Sequence, residues 1–273
     1  MVVNNIFENY SEYNSLVLIF GGILFAFQIY GDFSGYSDIA IGVSKIFGIN
    51  LKRNFNVPYF SRNVAEVWKR WHISLNTWFV DYIYIPLGGS RHGKAKTIRN
   101  TMTIFALSGL WHGANWTFIV WGVYHGLLFV PLILLGSTKK YNNEVATLKQ
   151  LPMMAITFAL VVIGWIIFRA DNIEFAFDYL QKIFSPYDWS MNFNGLGQCK
   201  KPMIWIAIML VIEWFTRNCN HSFQIAETAS YNTNRIANIF TRHRFIRWSI
   251  YVSLILTILI FGGQQTEFIY FQF

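Results

Sequence analysis

The chain has 273 residues, of which 54% are hydrophobic and 19% are aromatic, while only 13% are charged. Soluble domains carry about 25% charged residues, so this composition excludes an ordinary soluble domain and indicates a polytopic membrane protein. The net charge of +8 comes from short basic runs between apolar stretches, a pattern that marks membrane topology. We therefore predict that these residues meet a lipid bilayer, and we predict no nucleic-acid partner.

The apolar segments define the predicted fold. An apolar stretch of about 20 residues can cross a bilayer as a helix. Six segments approach this length, of which the second and the fifth are the weakest: residues 15–31, 97–113, 116–136, 151–168, 202–215 and 245–263. The predicted fold class is all-α, a polytopic membrane protein of about six spanning helices with additional interfacial and re-entrant helices. We expect residues 1–273 to form a single transmembrane domain.

The first span runs directly into the polar sequence QIYGDFSGYSDIA, residues 28–40. Gly31 and Gly35 predict a broken helix here, whose free backbone groups would line a cavity or contact other protein segments. Asp32 and Ser34 are the candidate lining residues of this segment, although an interfacial helix cap explains the pattern equally well. The carboxylates of the segment do not share one helix face, so the spacing gives only weak support to a paired acid–base role.

The basic sequence EVWKRWHISLNTWF follows the first span. Trp68, Trp71 and His72 recur at i, i+3 and i+4, which predicts one amphipathic helix lying at the membrane surface. Lys69 and Arg70 lie on another face of this helix. They could hold an anionic donor such as a coenzyme or phosphate, and a solvated charge run that sets the topology is the alternative.

The loop charges predict one orientation. Residues 52–99 and 139–149 are basic and therefore cytoplasmic, so the two helices between them form a hairpin whose turn, near Asn115, faces outward. The acidic start of the 171–200 loop and the arginine-rich loop before the last span fit the same orientation. The apolar stretch 78–89 is too short to span and is predicted to be interfacial or re-entrant.

His112 lies in LSGLWHGANW, between two tryptophans and two glycines. An ionisable residue inside a membrane span is costly and is by default a functional candidate, and a neutral imidazole is the form that a general base needs. A packing histidine bonded to a backbone carbonyl is the alternative that the spacing alone favours. Trp111 and Asn115 are further candidate site residues beside it in the motif, while His125 is predicted to be a structural partner between helices.

The chain lacks the common cofactor and metal motifs. It contains no Walker loop, dinucleotide fingerprint, zinc-binding HExxH helix or GxSxG elbow, so we predict neither a bound cofactor nor a metal site. Buried histidines, tryptophans and a broken polar helix are compatible with two classes of protein. One is a transporter or export subunit, and the other is an intramembrane transferase.

Three long motifs then resemble the membrane-bound O-acyltransferase family. The likeness is to the branch that contains the alginate O-acetylation membrane protein and the D-alanyl transfer protein of teichoic acids. The motifs are QIYGDFSGYSDIAIGVSKIFGINLKRNFNVPYFSRNVAEVWKRWHISLNTWFVDYIYIPLGG, LSGLWHGANWTFIVWGVYHG and the closing FGGQQTEFIYFQF. Family members are longer and have further spans before the first motif. The chain is therefore expected to correspond to the C-terminal portion of the family fold.

The resemblance implies a function and a site. His112 matches the catalytic histidine of the family, and His72 matches its second characteristic histidine, both in or near a tunnel through a ring of helices. Acetyl would pass from a cytoplasmic thioester such as acetyl-CoA toward hydroxyls of an extracytoplasmic polysaccharide such as alginate. Trp68 and Trp71 would line the cytoplasmic mouth. The implied location is the bacterial inner membrane, and the implied partner is an extracytoplasmic acetyltransferase. D-alanyl transfer to a cell-wall polymer is the alternative acyl transfer.

Overall fold

A computed structural model describes residues 2–141, 144–185, 197, 200–217 and 244–262. Regular secondary structure in these residues is helical, which confirms the all-α prediction. Short 3₁₀ or π turns at Tyr10–Glu12, Pro58–Phe60, Val80–Tyr84 and Leu148–Gln150 separate or extend the helices. The helices are α1 (Val2–Glu8), α2 (Ser15–Ile46), α3 (Val64–Arg70), α4 (Ile73–Phe79), α5 (Gly93–His112), α6 (Trp116–Leu134), α7 (Leu151–Arg169), α8 (Ile173–Phe184), α9 (Lys200–Thr216) and α10 (Arg244–Phe261).

The described residues fall into two compact units, divided between Ile206 and Ala207. The first unit contains α1 to α8 and the beginning of α9, and it holds every predicted site residue. The second unit contains the end of α9 and all of α10, most of whose large apolar side chains are exposed. The closing sequence motif and most of the arginine-rich loop lie outside the described residues.

Three helical segments are long and apolar enough to cross a membrane: Ser15–Ile46, Trp116–Leu134 and Leu148–Arg169. They match three of the six predicted spans. A shorter apolar helix at Pro202–Thr216 corresponds to the fifth prediction. The remaining two predicted spans are helical as well, in α5 and α10.

The predicted break in the first span is wrong, because α2 is one continuous helix of 32 residues. A glycine in a helix interior costs only about 1 kcal/mol, which is too little to break a helix whose hydrogen bonds are otherwise intact. Side chains from other elements also hold α2: Tyr59 and Tyr179 donate hydrogen bonds to its carbonyls. Gly31 and Gly35 face open space, where an added Cβ would meet nothing within 4 Å.

The single amphipathic helix predicted around His72 is also wrong, because two short helices, α3 and α4, take its place. Trp71 is extended, and His72 is left-handed with φ 43° and ψ 54°. The amide of Asn76 donates to the carbonyls of Trp68 and Trp71 at 2.7 and 2.6 Å, and the Asn54 carbonyl accepts from Ile73 N at 3.0 Å. These non-helical hydrogen bonds replace the helical ones that the break removes.

The hairpin predicted around Asn115 is present. An added Cβ on Gly109 would lie 2.2 Å from the Phe118 carbonyl oxygen, and one on Gly122 would lie 2.2 Å from that of Phe105. This reversed order of contacts shows that α5 and α6 run antiparallel with their backbones in close contact. The Asn115 side chain accepts a hydrogen bond from Thr117 N at 3.1 Å and so caps α6.

Candidate active site

His112 is the last residue of α5 and lies among aromatic rings from three helices. Its ring centroid is 5.0 Å from that of Trp111, 5.2 Å from that of Trp121 and 5.1 Å from that of Phe168. These neighbours belong to α5, α6 and α7, so the packing of the helices builds the pocket around the imidazole. His112 itself is partly exposed.

His72 reaches the same pocket from the break between α3 and α4. Its ring lies 4.8 Å from that of Phe33 on α2 and 6.2 Å from that of Trp111. Trp111 therefore contacts both histidines. Burial lowers the pKa of His72 to about 4, so its imidazole is neutral at physiological pH.

Trp68 packs against the buried face of α6 beside this pocket. Its indole N–H donates to His125 Nδ1 at 3.4 Å, and its ring lies 5.4 Å from that of Trp121. His125 is buried between helices, as the sequence predicted for a structural partner. Trp121 contacts both Trp68 and His112, so aromatic rings run without interruption from Trp68 to the histidine.

A cavity of about 850 Å³ opens on the other side of Trp68. Its apolar part includes Phe105, Phe129 and Ile133, and it is bounded by α3, α4, α5 and α6. Four cationic side chains line it, and no Asp or Glu does so within the described residues: the cations are Lys69, Arg91, Lys94 and Lys139. A cavity with this lining is suited to a ligand that is anionic at one end and apolar at the other.

Two of the four cations of the cavity donate hydrogen bonds to backbone carbonyls, whereas Arg70 donates to a carboxylate. Lys69 Nζ donates to the Thr138 carbonyl and Lys94 Nζ to the Leu134 carbonyl, each at 2.8 Å. Burial and then the nearby Lys139 lower the pKa of Lys69. Mutual repulsion between cations favours a bound anion, because the anion relieves it.

The sequence comparisons identify the family. Residues 7–136, which contain all of the predicted site residues, match the family of membrane-bound O-acyltransferases, abbreviated MBOAT. The chain belongs to the membrane-bound O-acyltransferase family. This family and the apolar helices together make it a membrane protein.

Several relatives of the chain have names that describe action on polysaccharides. A probable alginate O-acetylase of Azotobacter vinelandii is 41% identical over 191 residues, which cover 70% of this chain and 37% of that protein. A peptidoglycan O-acetyltransferase of Helicobacter pylori is 33% identical over 91% of this chain and 48% of its own length. A teichoic acid D-alanyltransferase of Bacillus subtilis is 34% identical over 55% of this chain and 41% of its own length. The chain spans 37–48% of the length of these three relatives.

The structure brings only some of the predicted site residues together. His72, His112 and Trp111 form one cluster, and Trp68 and Lys69 lie on the cavity beside it. The cluster and the cavity residues Trp68 and Lys69 all come from the sequence motifs that resemble the family. The two histidines lie on different elements.

Other predicted site residues have structural contacts instead. Trp71 packs in the core against Tyr30 and Trp165 at centroid distances of 5.9 and 4.8 Å. Arg70 donates to the buried carboxylate of Glu66 at 2.7 Å, which offsets its charge. Asn115 caps α6 and also donates to the Asp171 carbonyl at 2.9 Å.

Asp32 and Ser34 lie half-buried on α2. Because α2 is continuous, they do not belong to an opened backbone segment. The described residues contain no group of three or more His, Cys, Asp or Glu side chains that could hold a metal ion.

Sequence reasoning missed two sets of residues. The ring neighbours Trp121 and Phe168 come from helices that only tertiary packing brings to His112. The sequence predicts Arg91, Lys94 and Lys139 only as topology signals, since a basic run has the same composition whether it faces solvent or a cavity.

Proposed function

We propose that the chain works as a membrane O-acyltransferase that moves acetyl from a cytoplasmic acyl thioester to hydroxyls of an extracytoplasmic polysaccharide such as alginate. The observation that carries the proposal is the position of His112 in an aromatic pocket. Its ring contacts Trp121, which in turn contacts Trp68 at the wall of a basic cavity. The names of the relatives support the class of acceptor.

His112 acts as the general base in this proposal. It takes the proton of the acceptor hydroxyl while the hydroxyl oxygen attacks the thioester carbonyl carbon, and it returns the proton to the departing sulfur. A positioned base of this kind contributes about 10²–10⁴-fold to the rate. His72, held neutral in the same pocket, orients the acceptor hydroxyl toward His112.

The basic cavity holds the donor. Acetyl-CoA is the donor that we propose, because it carries phosphates at one end and a largely apolar arm that leads to the thioester. Lys69, Arg91, Lys94 and Lys139 would bind the phosphates, while the arm follows the apolar wall toward Trp68. The volume of about 850 Å³ lies in the range of small-molecule sites.

The membrane arrangement follows from the loop charges. The cavity adjoins the basic loops, which the positive-inside rule assigns to the cytoplasm, and His112 lies at the opposite end of α5. We place the protein in the bacterial inner membrane as a multi-pass protein. Acetyl leaves on the outer side, either directly to the polymer or through an extracytoplasmic acetyltransferase partner.

The test uses membranes from cells that express the protein, incubated with acetyl-CoA labelled on the acetyl group. We expect label on the polysaccharide with the wild type and none with His112→Ala, while both proteins insert into the membrane equally. His92→Ala is the matched control, because His92 lies at an exposed turn, and it should retain wild-type transfer. Full transfer by His112→Ala would refute the role of the histidine.

Two further outcomes separate the alternatives. Label transfer from a D-alanyl thioester, but not from acetyl-CoA, would point to D-alanyl transfer onto a cell-wall polymer. Polymer export without any label transfer would point to a transporter or export subunit.

A further inference from the structure

One face of α6 carries three buried polar atoms that make no hydrogen bond within the described structure. Thr117, Trp121 and His125 are spaced at i, i+4 and i+8 and therefore lie on the same face of the helix. Each is at most 1% exposed, and the unbonded atoms are Thr117 Oγ1, Trp121 Nε1 and His125 Nε2. Burying an unpaired polar group costs free energy, so a row of three calls for a functional explanation.

Trp121 is the member of this row that meets the catalytic region. Its ring stands edge-on to that of His112, with centroids 5.2 Å apart and an interplanar angle of 89°. Its ring also contacts that of Trp68, which lines the basic cavity, and that of Trp165 at 6.1 Å. The indole therefore lies between the proposed base and the proposed donor site.

The indole N–H can only donate a hydrogen bond. Acyl transfer from a thioester develops negative charge on the carbonyl oxygen, and a preorganised donor aimed at that oxygen accelerates the step. We propose that Trp121 is a catalytic residue whose Nε1–H donates to this oxyanion. The inference rests on the proposed acyl transfer and adds the group that stabilises its tetrahedral intermediate.

The step balances without any further reactant. The hydroxyl oxygen bonds to the carbonyl carbon, the carbonyl π electrons move onto oxygen, and the hydroxyl proton moves to His112. Trp121 Nε1–H donates to the resulting oxyanion. The carbon–oxygen double bond then re-forms, the carbon–sulfur bond breaks, and sulfur takes the proton from His112. The products are the ester and the free thiol.

Trp165 provides a matched comparison. Its indole nitrogen is also buried and unbonded. Its ring packs 4.8 Å from that of Trp71 and 5.6 Å from that of Phe168, and Phe168 in turn lies against His112. Among the ring contacts of the described residues, Trp165 is thus one residue removed from the base, whereas Trp121 touches it.

The experiment measures acetyl transfer from acetyl-CoA in membranes carrying the full chain. Trp121→Phe keeps an aromatic ring and removes the N–H, so we expect kcat to fall about 10²–10³-fold with KM for acetyl-CoA unchanged. Trp165→Phe should retain near wild-type kcat. Equal losses in the two variants would mean that packing explains both, and would overturn the proposal.

An isosteric replacement removes the question of folding. Incorporating 3-benzothienylalanine at position 121 substitutes sulfur for the N–H and preserves the shape of the indole. We expect the same loss of kcat as in Trp121→Phe, and wild-type kcat in this variant would refute the hydrogen bond. A wild-type protein that transfers no acetyl would instead refute the proposed function itself, which is a distinguishable result.

Discussion

Substitution of Gly122 by alanine tests whether the close α5–α6 contact positions the site. The added Cβ would lie 2.2 Å from the Phe105 carbonyl oxygen, whereas real Cβ contacts are not shorter than 3.0 Å. The two helices must therefore separate by about 0.8 Å at this point, because a backbone carbonyl cannot rotate out of the way as a side chain can. Overpacking of this kind costs about 1–3 kcal/mol.

The same displacement affects the chemistry. Trp121 is adjacent to Gly122, and His112 lies on the opposing helix, so the 5.2 Å contact between their rings must change. A misplacement of about 1 Å in a catalytic site can cost about 10²-fold in rate. We therefore expect Gly122→Ala to lose both stability and acetyl transfer.

The assay is thermal unfolding of detergent-solubilised protein. Size-exclusion chromatography with fluorescence detection measures how much folded protein remains at each temperature. A loss of 1–3 kcal/mol lowers Tm by roughly 2–12 °C for a chain of this size. Gly42→Ala on α2 is the matched control, because an added Cβ there meets nothing within 4 Å, and it should leave Tm unchanged or raise it slightly. Equal Tm values for the two variants would refute the reasoning.

Two further predictions concern His72 and the cavity. Burial lowers the pKa of His72 from 6.5 to about 4, so the unfolded chain binds the proton first as the pH falls. Protonation of His72 should therefore lower the free energy of unfolding by up to about 3 kcal/mol as the pH falls from 6.5 to 4. The measurement is Tm against pH, and His72→Asn should abolish this part of the loss. Lys139→Ala should raise KM for acetyl-CoA roughly 3- to 10-fold without changing kcat, and Lys140→Ala, which does not line the cavity, should not.

Each of these predictions has a contrary result. A Tm that depends on pH identically in the wild type and His72→Asn would show that the imidazole does not titrate between pH 6.5 and 4. Asparagine is the chosen replacement because it tolerates the left-handed backbone of residue 72. Equal KM values for Lys139→Ala and Lys140→Ala would remove the cavity from donor binding.

The two candidate histidines could be proposed from the sequence because their motifs are local. His112 ends α5, and Asn115 caps α6 three residues later, so the hairpin and its histidine lie within one short segment. The basic and apolar composition likewise predicted a membrane protein, since hydrophobicity and charge act residue by residue.

Apolar periodicity gave a wrong prediction where hydrogen bonds outside the helical pattern decided the backbone. Around His72 the spacing of apolar residues suits one helix. Hydrogen bonds from the Asn76 side chain and to the Asn54 carbonyl stabilise a break between α3 and α4 instead. In α2 the glycines suggested a break, but the helix is continuous, and side chains of other elements donate hydrogen bonds to its carbonyls. Local propensities are worth about 1 kcal/mol or less per residue, so tertiary contacts readily outweigh them.

The sequence by itself determined the membrane-protein class, the helical fold, the α5–α6 hairpin and the two candidate histidines. Only the tertiary structure decided that Trp111 joins those histidines, that four scattered cations line one cavity, and that Trp121 stands between the cavity and His112. The physical reason is that a motif reports the residues of one segment. The surroundings of a catalytic group come from helices distant in sequence, whose positions depend on how the whole bundle packs.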